Sequence, residues 1–278
     1  MGAYFFSMKL NKGKIRPSAG YAVGPNVWRA IKLVRQAGLA TTTAISASVI
    51  EDLYIRAFDR QRGVQTSGYI PLLETSVGSN GAKRGHRYRA VNAWAFRRFL
   101  AAFAPSRELR FVDLGCGLGR ACLIAAEYGF KRIRGVDMVP EFCAQARINI
   151  QTLYKCDSDG PRVEIFLEDA VDYSRRSDDD IVFLFNPFPR DVLERVIANL
   201  LDGAHRLRRA LFIIYTERVL ETSRTLEVLD NQEALVRVFS HSSWGQVFRV
   251  FSRTRSSLLP ECGTEIAAKI GAILDKHV

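Results

Sequence analysis

The run Phe111-Val112-Asp113-Leu114-Gly115-Cys116-Gly117-Leu118-Gly119-Arg120 constrains this chain more than any other. Its first half is an apolar strand, and Arg120–Tyr128 follows as a helix stopped near Gly129. Between them, glycines at 115, 117 and 119 make a turn that tolerates positive φ and lets a ligand lie against the backbone. The open N-terminus of the following helix offers N–H donors to an electron-rich group. The spacing narrows the ligand. A dinucleotide site places its third glycine at 120, where Arg120 stands, and no Gly-Lys-Ser/Thr follows to make a P-loop.

The stretch beyond Arg110 alternates strand and helix. Strands are expected at Arg110–Leu114, Arg132–Asp137, Arg162–Leu167, Asp180–Asn186 and Ala210–Thr216, the last two apolar enough to be covered on both faces. Helices are expected at Glu141–Leu153 and along the stripe Val192, Leu193, Val196, Ile197, Leu200 and Leu201. The succession implies a parallel α/β sheet with helices on both faces. Leu235–Ser240 and Gln246–Ser252, separated by His241–Gly245, read as a closing antiparallel hairpin, and a last helix, Thr264–Leu274, as packing on an edge. Upstream, Ala90–Phe103 is helical, with Val91, Trp94, Ala95 and Phe99 spaced for burial, and residues 59–90 form a connector rich in turn formers. Residues 11–26 read as a loop. Val27–Gln36 reads as a basic amphipathic helix, with Val27, Ile31 and Val34 on one face and Arg29, Lys32 and Arg35 on another.

A second acid adds chemistry. Asp137 ends the strand after the glycine loop, 20 residues beyond Gly117, where a carboxylate faces the crevice and can accept both hydroxyls of a ribose. Residues 86–278 resemble the class I S-adenosylmethionine-dependent methyltransferase family on these motifs. The family's acid-x-Gly-x-Gly-x-Gly run matches Asp113, Gly115, Gly117 and Gly119, with Cys116 inside it, and its ribose acid falls on Asp137, with Met138 beside it. Its third motif matches Glu168-Asp169-Ala170, which places Asp169 and Ala170 near an adenine. The resemblance implies a Rossmann-like sheet of seven strands, mostly parallel, ending in the antiparallel hairpin. Residues 1–85 then form a basic accessory segment, mainly helical.

Phe185-Asn186-Pro187-Phe188-Pro189 ends a strand and is similar to the Asn-Pro-Pro-aromatic motif of amino-group methyltransferases. Phe188 stands at the second proline and Pro189 at the aromatic. The resemblance implies Asn186, Pro187 and Phe188 as the catalytic turn, with Asn186 also at the cofactor. Its oxygen and a neighbouring carbonyl would hold the acceptor nitrogen for an in-line transfer. Taken without the resemblance, the run is a proline-punctuated turn. A weaker resemblance, over Phe58–Gly68, to bacterial methyltransferases of unassigned substrate suggests that Tyr88, Thr66 or Ser67 lines the pocket.

Net charge is +11, and it is uneven: residues 1–110 hold 18 Lys/Arg against five Asp/Glu, and the remainder 22 against 24. Excess charge is not needed to bind the cofactor, so it concerns substrate delivery, surface association or partners. The expected activity is methyl transfer to a nitrogen of a protein side chain or small molecule. RNA or DNA is the rival acceptor, and a non-catalytic cofactor-binding module the alternative. His86 and His241 are the histidines considered as bases, without a motif to choose them. Five cysteines with no Cys-x-x-Cys pair indicate neither a disulfide framework nor a zinc site, and no metal is expected. A cytoplasmic location is expected, with an organelle-targeted one as the alternative, since the acid-free basic N-terminus resembles a transit peptide. No apolar run reaches the roughly 18 residues of a membrane-spanning helix.

Overall fold

A computed structural model describes residues 8–11, 14–17, 56–154, 160–173, 180–207, 211–218 and 225–253. The expected helices at Val27–Gln36 and Thr264–Leu274 lie outside them. Strands β1 (Met8–Asn11) and β2 (Lys14–Pro17) pair as an antiparallel ribbon, so part of the expected 11–26 loop is strand. A second small ribbon joins β3 (Tyr69–Ile70) to β4 (Tyr88–Arg89). The main sheet comprises β5 (Phe111–Leu114), β6 (Arg132–Asp137), β7 (Arg162–Leu167), β8 (Ile181–Phe185), β9 (Phe212–Arg218), β10 (Leu235–Ser243) and β11 (Gln246–Arg253). Its order is β10-β11-β9-β8-β5-β6-β7. β11 runs antiparallel to both its neighbours, and the pairs from β9 across to β7 are parallel. The chain lays β6 and β7 on one side of β5, then returns to lay β8 and β9 on the other. That reversal opens a crevice at the carboxyl ends of β5 and β8, where open α/β sheets bind ligands.

Strand periodicity sorts the core into two layers. Phe111, Ile181, Phe183, Phe212 and Ile214 join the cluster under α2 (Ala93–Phe103) and α3 (Arg120–Tyr128). Their neighbours Val112, Val182, Leu184, Ile213 and Tyr215 face α5 (Arg190–Leu207), which packs Leu193, Val196, Ile197 and Leu200 against them. Burial on both faces is why these strands read as continuous apolar runs. The first layer is held by a phenylalanine stack, with Phe96–Phe183 and Phe99–Phe248 ring centroids both 4.6 Å apart. Each such ring removed from water contributes about 1.5–3 kcal/mol. The fourth long helix, α4 (Pro140–Leu153), packs on β7.

Two boundaries differ from the expected ones for local reasons. α2 starts at Ala93 because Asn92 caps it, its Oδ1 accepting from the N–H groups of Trp94 at 3.0 Å and Ala95 at 3.1 Å. The closing hairpin is tighter than its polar His241–Gly245 segment suggests. Strand β10 runs through Ser243, leaving Trp244 (φ 49°) and Gly245 (φ 71°) as a two-residue turn with both residues left-handed. The indole of Trp244 meets Trp94 edge-on, centroids 6.3 Å apart.

The expected connector is not featureless. It contains a helical stretch over 56–62, a 3-10 turn at Leu72–Glu74, and α1 (Gly78–Arg84). Glu127 of α3 pairs with both Arg62 and Arg97, which ties the 56–62 stretch and α2 to the same helix. A short α6 (Glu227–Asp230) precedes β10. Among the described residues no helix is long and apolar enough to cross a membrane, and no group of His, Cys, Asp and Glu is placed to hold a metal ion.

Candidate active site

Each glycine of the loop is left-handed, Gly115 at φ 82°, Gly117 at 52° and Gly119 at 84°. Two are also crowded. A Cβ on Gly115 would lie 2.8 Å from the Pro187 ring, and one on Gly117 would lie 2.2 Å from the ring of Tyr88. The spacing that the sequence displays is therefore demanded by both dihedral and space. The loop is tied to β6 by the N–H groups of Gly115 (2.8 Å) and Cys116 (3.0 Å), which donate to the Val136 carbonyl.

The ends of β5, β6, β7 and β8 enclose a cleft of about 310 Å³. Its floor and walls include Gly115, Asp137, Met138, Asp169, Ala170, Asn186, Pro187 and Phe188, so eight of the sequence-chosen residues share one space. Asp113, Cys116, Gly117 and Gly119 support that space from behind. Cys116 and Asp113 are buried, Gly117 lies under Tyr88, and Gly119 abuts Ala146.

Electrostatics separate the two acids. Asp137 Oδ2 accepts from the Gly117 N–H at 2.8 Å and Oδ1 from Val139 at 2.9 Å. Burial nevertheless outweighs these bonds and raises its carboxyl to about 6. The carboxylate also accepts from the Met138 backbone. Asp113 is pushed further, to about 8, by burial first and the Asp137 charge second. The Cys122 thiol donates to its Oδ2 at 3.8 Å.

At the fourth motif, Asn186 adopts φ 36°, a left-handed conformation that asparagine tolerates better than most residues. Its Oδ1 accepts from the Tyr215 hydroxyl at 2.9 Å. Its carbonyl lies 2.9 Å from His86 Nδ1, and the Pro187 carbonyl accepts from the His86 N–H at 2.8 Å. Phe188 is buried under the glycine loop.

A roof over the cleft comes from residues that sequence reading treats as connector. The segment from Leu72 to Arg89 is fastened at three places. Ser76 bonds both oxygens of Glu141 at 2.9 Å, Arg84 pairs with Asp169 at 2.8 Å, and His86 holds the Asn186–Pro187 turn. Tyr88 belongs to this segment and lines the cleft, its hydroxyl donating to the Thr66 carbonyl at 2.6 Å. Thr66 and Ser67 do not line the cleft; they belong to a buried knot around Arg120. Arg120 Nε donates to Thr66 Oγ1 at 2.7 Å, and Nη2 to Asp59 Oδ1 and Ser67 Oγ at 3.1 Å each. The signal for the knot is visible in the sequence: one charge heads a helix whose next six residues, Ala121–Ala126, are all apolar and all buried. Its partner, 61 positions away, is not.

Residues 111–207 match the family model described as a methyltransferase domain. This stretch is a methyltransferase domain by that match. Two proteins called uncharacterized RNA methyltransferases are similar to it. The one from Chlamydia trachomatis is 38% identical over 87 residues, or 30% of this chain and 20% of that protein. The one from Chlamydia muridarum is 37% identical over 73 residues, or 26% and 17%. The chain thus spans about a fifth of the length of the curated relatives it matches. A solved magnesium protoporphyrin IX methyltransferase from Synechocystis, with bound S-adenosylmethionine, aligns at TM-score 0.46 and 14% identity over 74% of this chain and 96% of that one.

The cofactor that the resemblance to methyltransferases implies is S-adenosylmethionine, and the residues present fit it. Asp137 offers carboxylate acceptors for ribose hydroxyls, and Asp169 lies at the next strand end. Bound there, the cofactor supplies an electrophilic methyl on a sulfonium.

Proposed function

We propose that this chain transfers the methyl group of S-adenosylmethionine to a nucleophile presented at the Asn186–Phe188 turn. The observation that carries this is the convergence of Asp137, Asp169 and that turn on one roofed cleft. Catalysis here is mostly positioning. The cradle fixes the sulfonium, the turn fixes the acceptor, and the roof limits water. A nitrogen of a protein side chain or small molecule is the acceptor suggested by the turn's likeness to the amino-group motif. An RNA acceptor is favoured by two other observations. The relatives carry the name RNA methyltransferase. Arg84, Arg87 and Arg89 line the cleft, and the excess of basic residues before position 111 supplies phosphate attraction. A cytoplasmic setting and peripheral contact of the basic N-terminus with anionic partners are parts of the same proposal.

The test is transfer of isotopic methyl from S-adenosylmethionine to the RNA, protein and small-molecule fractions of a cell extract. Label in RNA that falls steeply with added salt supports the RNA acceptor. Label in protein or small molecules returns the acceptor to the first reading. Cofactor binding by calorimetry with no labelled fraction overturns transfer and leaves a binding module. Asn186→Ala is expected to lower turnover at least about tenfold more than cofactor affinity, since it removes a positioning contact.

A further inference from the structure

We infer that His86 is the base of the transfer, receiving the acceptor's proton on Nε2; this rests on the methyl-transfer reading above. The backbone of His86 is pinned by its N–H to the Pro187 carbonyl at 2.8 Å, and the ring lies 2.9 Å from the Asn186 carbonyl through Nδ1. A carbonyl oxygen can only accept, so this contact assigns the proton to Nδ1. In the neutral ring the lone pair is then on Nε2. His86 lines the cleft and is solvent-exposed, so a proton received there has a route out.

The oxygens of the turn are amide oxygens, which can accept a hydrogen bond from the acceptor but cannot take its proton. Asn186 Oδ1 holds the Tyr215 hydroxyl, the Asn186 carbonyl holds the His86 ring, and the Pro187 carbonyl holds the His86 N–H. The other titratable and charged groups lining the cleft are engaged elsewhere or lack a lone pair. Asp169 is paired with Arg84, and Asp137 is bonded to the N–H groups of Gly117 and Val139. Arg87 and Arg89 have no lone pair to offer. The Tyr88 hydroxyl donates to the Thr66 carbonyl, and burial holds its proton on.

The step balances simply. The acceptor atom's electron pair forms the bond to the methyl carbon, and the carbon–sulfur pair returns to sulfur, turning sulfonium into thioether. The acceptor's proton passes to Nε2, and the imidazolium gives it to water. The Asn186 carbonyl faces Nδ1–H and stabilises the charge that develops on the ring. The acceptor class follows: an atom that carries a proton it must lose, a hydroxyl or an amine N–H, rather than an unprotonated ring nitrogen.

His86→Asn retains a donor near the Nδ1 position and removes the Nε2 lone pair. The assay is single-turnover transfer of labelled methyl to total cellular RNA, and to extract protein where RNA takes no label. For His86→Asn the rate is expected to fall about 100-fold or more, with the acid limb of its pH profile lost and part of the rate restored by added imidazole. Affinity for S-adenosylmethionine should stay within threefold. A rate within threefold of wild type, a retained acid limb, or a loss matched by lost cofactor affinity overturns the inference. So does nitrogen NMR showing the neutral His86 proton on Nε2, a readout that needs no acceptor. Failure of the methyl-transfer reading looks different: wild-type protein binds the cofactor and labels nothing, which removes both.

Discussion

Arg120→Met tests whether the buried knot holds the roof in place. The Arg120 side chain is 1% exposed and its Asp59 partner 13%. It also lies 4.8 Å from the Phe58 ring centroid. Removing one member of a buried ion pair costs about 3–5 kcal/mol, chiefly because the other charge is left uncompensated. Asp59 is left with more help than usual. The Thr66 N–H at 2.7 Å, the Thr66 hydroxyl at 2.5 Å and the Ser67 N–H at 2.6 Å still donate to it. The expected loss is therefore at the low end, about 3 kcal/mol. In Asp59→Asn/Arg120→Met no charge is stranded, so the double variant should recover about 2 kcal/mol of the summed single losses. Urea unfolding of the four proteins at pH 7 measures this. Cofactor affinity by calorimetry should fall with the knot, because Thr66 anchors the Tyr88 hydroxyl and Tyr88 covers Gly117. Single losses that add within about 0.5 kcal/mol would refute the coupling. An Arg120→Met loss below about 1 kcal/mol would show that the guanidinium is not buried as described.

Three further outcomes follow from the site. Asp113 and Asp137 bind protons more readily folded than unfolded, so their contribution to stability is full below their ordinary value of 3.8 and is lost as pH rises through about 6 for Asp137 and about 8 for Asp113. Urea stability should fall by up to about 1.4 kcal/mol per pH unit per group over that window, and Asp113→Asn should flatten the limb between pH 6 and 8; an unchanged slope would contradict the burial of Asp113. Asp137→Ala should weaken S-adenosylmethionine about 10- to 100-fold through loss of charged hydrogen bonds, and a calorimetric affinity within threefold of wild type would remove it from the ribose position. Gly117→Ala should cost at least about 2 kcal/mol from left-handed strain and the Tyr88 ring. A melt within about 0.5 kcal/mol of wild type would mean that the ring does not cover the loop.

Much of this was legible in sequence because the signals are local. The glycine spacing, Asp137 at a strand end and the apolar runs of β8 and β9 each fall within a few residues. The roof was not. Gly-Ser-Asn-Gly-Ala-Lys-Arg, residues 78–84, contains two glycines and two residues that favour turns, yet it is helical, with Gly81 buried against Val77 and Met138. Tertiary packing overrides its propensity. Arg120 stands out in sequence as a break in dinucleotide spacing and as one charge heading an apolar helix, but its partners Asp59 and Thr66 are far off in the chain and cannot be read from it. Thr66 and Ser67 were noticed as a motif, but their hydroxyls serve the knot instead of the cleft. For the hairpin the sequence predicts too long a turn because His241-Ser242-Ser243 lacks the apolar alternation that marks a strand.

The place of β11 has a consequence for synthesis on the ribosome. Among the described residues it is the last strand of the main sheet along the chain, but it lies inside the sheet, between β9 and β10. When β10 has left the exit tunnel it has no strand to pair with, and β9, with Phe212–Glu217 destined for burial, presents a bare apolar edge. Neither can settle until Gln246–Arg253 has been translated and threaded into the gap. A nascent chain stalled before that point would hold a complete glycine loop and cleft floor beside an open, aggregation-prone flank, and would need a chaperone to wait for its final eight residues of sheet.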